Sequence, residues 1–197
     1  MEGKDSSDTE STTSDIMDDR EDLIDCRDCG LIFAHNQGLK DHNCRKKLIR
    51  LPMPGDALDG ILRGTSATVC CADDLPAYVI DRPKMCVVNT DNCNQEGTHW
   101  VAFHFPVSGP PEFFFYSRGG APDTYQQRFR NVLIVNGPQY RFFGCQIQPD
   151  HLETCGLYCA YYVKMRSQSI KMDDVLNYFL SDDLDANDRK LIALFSF

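Results

Sequence analysis

The stretch Gln148-Pro-Asp-His-Leu-Glu-Thr-Cys155-Gly-Leu-Tyr-Cys159-Ala-Tyr-Tyr-Val-Lys-Met165 passes from a polar turn into an apolar run, and the change falls at a cysteine. Residues 154–165 predict an apolar helix begun by Thr154 or Glu153, with Leu157, Tyr161 and Lys164 on one face. A thiolate at a helix start is stabilised by the helix dipole, and a histidine elsewhere in the chain can take its proton. Cys155 is therefore a candidate nucleophile. Gly156 is expected to leave the backbone open to a substrate. Gln148, seven residues before Cys155, can place an amide as oxyanion donor.

Working outward, Lys84–Asn89 and Trp100–Phe105 read as strands, residues 112–116 as a buried strand and residues 140–147 as another. Residues 124–130 have helix-like polarity. Residues 172–180 and Leu184–Phe195 read as two short helices separated by Ser-Asp-Asp. Strands followed by segregated helices favour an α+β domain over a doubly wound sheet. His104 alternates with Phe103 and Phe105, so it points the other way and is read as structural or exposed. Cys70, Cys71, Cys86, Cys93 and Cys145 lack metal-ligand spacing and are read as core residues or free thiols.

The chain has 197 residues, 42% of them hydrophobic and 25% charged. No apolar run approaches the ~18 residues of a membrane span. The start lacks a signal-peptide stretch, so an intracellular chain with reduced cysteines and no membrane partner is expected. The net charge is −9. Residues 1–25 hold ten acids against Lys4 and Arg20, which leaves −1 for the rest. That near-neutral body argues against charge-driven nucleic-acid binding.

Three segments follow from composition. Residues 1–22 have only Met1, Ile16 and Met17 as apolar residues and read as a disordered acidic tail. Residues 23–47 form a zinc-finger-like module, and residues 48–197 a compact domain. In the module Cys26 and Cys29 form a CxxC pair, and His42 follows after twelve intervening residues, with Phe33 and Leu39 where a finger keeps its core. Cys44 comes only two residues after His42, so the helix would have to end abruptly for it to serve as fourth ligand. Tetrahedral Zn2+ on Cys26, Cys29, His42 and Cys44 would supply folding energy that a block of this size lacks.

The ordered set Asp73-Asp-Leu-Pro76, Val87-Val-Asn89, Gly97-Thr-His-Trp100, Gln146-Ile-Gln148, Thr154-Cys-Gly-Leu-Tyr-Cys159 and Asn187-Asp188 resembles the adenovirus-type cysteine proteases. Their shorter relatives in Polinton (Maverick) transposons and adintovirus-like elements are the nearer likeness. The resemblance runs from about Pro52 to Phe197. It implies the α+β, papain-related fold shared with ubiquitin-like-protein proteases, with Cys155 as nucleophile, His99 as general base and then acid, Gln148 as oxyanion donor and Trp100 as a wall beside the histidine. The family's third, acidic member falls on Ser117, with Asp123 as a fallback acid. Such a chain is expected to cleave capsid-type precursor proteins as a monomer, with an activating peptide or DNA as a further partner, in the nucleus or a virion-like particle. Ser117 keeps a second reading open, a catalytically impaired protease-like domain that binds protein or nucleic acid together with the finger. A deubiquitinase or deSUMOylase, which shares the fold, is the third.

Overall fold

The computed structural model describes residues 24–25, 32–33, 49–114 and 120–196. The acidic tail, Cys26, Cys29, His42, Cys44 and Ser117 lie outside the described residues. The chain divides into two compact units, Met1–Cys44 and Arg45–Phe197. In the first, β1 (Ile24–Asp25) and β2 (Ile32–Phe33) pair antiparallel, Ile24 opposite Phe33.

The second unit runs α1 (Gly55–Ile61), β3 (Ala67–Cys70), β4 (Lys84–Asn89), β5 (Trp100–Phe105), β6 (Glu112–Phe114), α2 (Gln127–Asn136), β7 (Arg141–Phe142), α3 (Cys155–Ser167), α4 (Met172–Leu176) and α5 (Leu184–Phe195). Single 3-10 turns lie at Ala72–Asp74 and Pro122–Thr124. The sheet order is β3-β4-β5-β6-β7. The β3–β4 and β6–β7 pairs are parallel, and the two between them antiparallel.

This is a mixed α+β arrangement, with its helices less segregated than the sequence reading expects. The first helix precedes the sheet, and α2 is inserted between β6 and β7. The sheet is covered on both faces. Met85, Val87, Trp100 and Ala102 share one cluster with Leu58 of α1, Leu191 of α5 and the whole run Leu157–Val163 of α3. Cys86, Val88, Val101, Phe103 and Phe105 share the other with Phe129, Val132 and Leu133 of α2. Strands buried on both faces need apolar residues at every position, which is why β4 and β5 read as near-continuous apolar runs. There Phe103 meets Phe113 and Phe129 edge to face at 5.0 and 5.3 Å, each such pair contributing about 1 kcal/mol beyond burial.

Three element boundaries differ from expectation. The strand expected over 140–147 shrinks to the exposed pair Arg141–Phe142, because β7 is an edge strand and the following residues turn toward Gln148. The helix expected over 124–130 starts at Gln127 and continues to Asn136 through Val132-Leu133-Ile134-Val135, a run with three β-branched residues that the burial of Phe129, Val132 and Leu133 holds helical. The helix expected over 172–180 stops at Leu176.

His104 is buried, not exposed. On the α3 side of the sheet, Glu112 lies 3.0 Å from its Nδ1 and accepts from Tyr162 Oη at 2.7 Å and from Arg166 Nε at 2.8 Å. That charged cluster joins β5 and β6 to the far end of α3. Cys71 and Cys93 form a disulfide with Cα atoms 5.1 Å apart, which corrects the reading of both as core residues or free thiols. The Ala72 amide donates to the Asp91 oxygen at 3.0 Å, and this contact aligns the two loops that carry them.

Candidate active site

Cys155, His99 and Gln148 reach the site from three different elements. Cys155 is the first residue of α3 and is 4% exposed. His99 immediately precedes β5, and its carbonyl accepts the Thr90 amide at 2.8 Å, which continues the β4–β5 ladder past its last strand pair. Gln148 comes from the loop between β7 and α3. All three line one cleft of about 720 Å³, together with Met53, Trp100 and Leu152.

Two glycines set the backbone around that cleft. Gly97, two residues before His99, has φ +86°, and a Cβ there would stand 2.6 Å from Asn89 Nδ2, so only glycine lets the loop turn into β5 at this point. Gly156 also serves packing. It is buried, and a Cβ on it would meet Met53 Cβ at 3.1 Å and Trp100 Cδ1 at 3.4 Å, so its smallness lets α3 pack against the cleft wall.

The backbone N–H groups of Trp100, Gly156 and Cys155 itself favour the thiolate of Cys155 electrostatically. Burial pushes its thiol up to about 11, and these N–H groups offset only part of that. A thiol so placed is protonated at neutral pH, and its reaction needs a base. His99 is the residue next to Trp100. The His99 ring stacks on Tyr125, centroids 6.2 Å apart and planes at 19°, a neighbour that the sequence reading did not select.

Gln148 is 2% exposed. Its Nε2 donates to the Leu152 oxygen at 2.7 Å and to Thr154 Oγ1 at 3.0 Å, while Oε1 is buried and meets no donor among the described residues. Both amide hydrogens are thus engaged within the protein. Asp123 is half-exposed and 3.9 Å from Arg130 Nε, at the surface, and it does not line the cleft. Cys159 is buried one turn into α3 and Cys145 is exposed, both free thiols.

Behind the nucleophile stands Asp188 of α5, 1% exposed, which accepts from Thr154 Oγ1 and from Tyr158 Oη. The signal for it is helical spacing. Asp188 falls four residues after Leu184 and three before Leu191, on the face that apolar periodicity marks as buried.

No family model matches the sequence, and no curated protein matches it. Among solved structures, the chain is similar to the selenomethionine crystal form of the ASFV pS273R protease, with 20% identity and a TM-score of 0.35. The match covers 55% of this chain, which spans 43% of the length of that protein.

Proposed function

We propose that the chain is a cysteine endopeptidase with Cys155 as nucleophile and His99 as its base. The observation that carries the reading is that Cys155, the first residue of α3, lines one cleft with His99, Trp100 and Gln148. His99 takes the thiol proton as sulfur attacks the scissile carbonyl. The pair of electrons displaced onto oxygen is received by backbone N–H groups at the start of α3 and by Gln148, which exchanges its bond to the Leu152 carbonyl for one to the oxyanion. The proton on His99 passes to the leaving amine. Water, deprotonated by His99, then hydrolyses the thioester. The sequence resemblance supports a capsid-type precursor as substrate.

A peptidyl vinyl sulfone tests the assignment, because Cys145 is exposed and Cys155 is buried, so accessibility alone favours Cys145. Mass spectrometry should find the adduct on Cys155, and His99→Ala should suppress it. Cleavage of a peptide library should vanish with Cys155→Ala. Labelling confined to Cys145 or Cys159 would overturn the assignment.

A further inference from the structure

The hydrogen bonds around Thr154 have only one consistent direction. Asp188 places Oδ1 and Oδ2 each 2.9 Å from Thr154 Oγ1, and Oδ1 also accepts the Tyr158 hydroxyl at 2.6 Å. A carboxylate has nothing to donate. Thr154 therefore spends its one hydroxyl proton on Asp188 and has only lone pairs left for Gln148. The nitrogen end of the Gln148 amide, not its oxygen, must face it, as the 3.0 Å bond from Nε2 shows. The Leu152 carbonyl, 2.7 Å from the same nitrogen, imposes the same choice.

We propose that Asp188 is a positioning residue of the peptidase site, which through Thr154 sets the direction in which Gln148 presents its amide beside Cys155. The inference rests on the peptidase reading and adds to it a residue from α5 that never touches substrate. It explains why a carboxylate is kept in a place where burial raises its pKa despite the hydrogen bonds from Tyr158 and Thr154. An amide of the same shape would avoid that cost. It would also turn an N–H toward Thr154 or lose the fixed polarity.

Two probes separate positioning from folding in the full chain. Iodoacetamide alkylates Cys155 by forming an S–C bond and expelling iodide, with no oxyanion. Leucyl-leucyl-norleucinal adds the thiol across its carbonyl: the S–C bond forms, the carbonyl π pair moves to oxygen, and oxygen takes the thiol proton. Only the second draws on an oxyanion donor. Aldehyde affinity is read as protection of Cys155 from iodoacetamide.

Asp188→Asn should weaken aldehyde protection by about tenfold or more, change the alkylation rate less than about twofold, and leave Tm no lower than in the unsubstituted chain. Gln148→Ala should weaken aldehyde protection to a similar extent with the alkylation rate little changed, though with a lower Tm because the Leu152 carbonyl loses its donor, and the double variant should be no weaker in protection than the worse single one, because both interrupt one chain of bonds. Thr154→Val, which breaks the relay in its middle while keeping side-chain shape, gives the same readout if Asp188→Asn fails to fold. Undiminished aldehyde protection in the Asp188 or Thr154 variants, or losses that multiply with Gln148→Ala, would overturn the positioning role alone. Absence of aldehyde protection in the unsubstituted chain, with alkylation intact, would overturn the peptidase reading and the purpose assigned to Asp188 with it.

Discussion

The Trp100 indole N–H donates a 2.8 Å hydrogen bond to the Met53 carbonyl oxygen. It joins the first residue of β5, next to His99, to the segment that leads into α1, and both sides of that bond line the cleft. Trp100→Phe keeps an aromatic wall but leaves a buried carbonyl without its donor. The variant should lose about 1–3 kcal/mol of stability, read as a lower urea midpoint at unchanged slope.

Glu112 governs the acid limb of stability. Burial pushes its carboxyl up, but the hydrogen bonds with His104 and Tyr162 and the charge of Arg166 outweigh it and hold the pKa below its ordinary 4.5. A depressed carboxylate contributes stability that is present above about 4.5 and is lost as pH falls through the folded value. Glu112→Gln should flatten that limb. It should also cost about 1–3 kcal/mol at neutral pH, because the partly buried Arg166 is left without its counter-charge. Urea titrations at pH 3, 5 and 7 check both effects; a mutant curve parallel to the unsubstituted one would refute them.

The Cys71–Cys93 disulfide closes a separation of 22 residues and holds the loop that leads to Gly97 and His99. Replacing both cysteines by serine should lower stability by about 3 kcal/mol through the freed unfolded chain. Non-reducing peptide mapping should recover the 71–93 pair. Its absence from oxidised full-length protein would count against the pairing.

We propose Cys26, Cys29, His42 and Cys44 as the donor set for one Zn2+, a combination of thiols and imidazole that suits zinc. Metal analysis of the full chain should give one zinc per chain, reduced on Cys26→Ser. Unchanged zinc content in that variant would remove Cys26 from the ligand set.

Ser117 stands where the resemblance expects an acid. Ser117→Asp should raise turnover, since a carboxylate there would favour the imidazolium form of His99 and fix its tautomer. Equal turnover in both forms would show that this position does not orient His99.

Local pattern was enough for the elements that the site hangs on. Lys84–Asn89, Trp100–Phe105 and Leu184–Phe195 match their expected bounds, and α3 begins one residue after Thr154, because apolar runs that long leave few alternatives once they must be buried. The sequence singles out Cys155, His99 and Gln148, and the fold brings all three to one cleft. Other features were decided at a distance. The disulfide joins residues 22 apart, Glu112 meets Arg166 from 54 residues away, and Thr154 finds Asp188 from 34. No local spacing encodes such pairs. Polar groups inside a packed interior must find partners from whatever elements the fold brings near, so only the assembled sheet and helices could show that Gly156 serves packing, that His104 belongs to a buried ion cluster, and that Thr154 links Gln148 to Asp188 of α5.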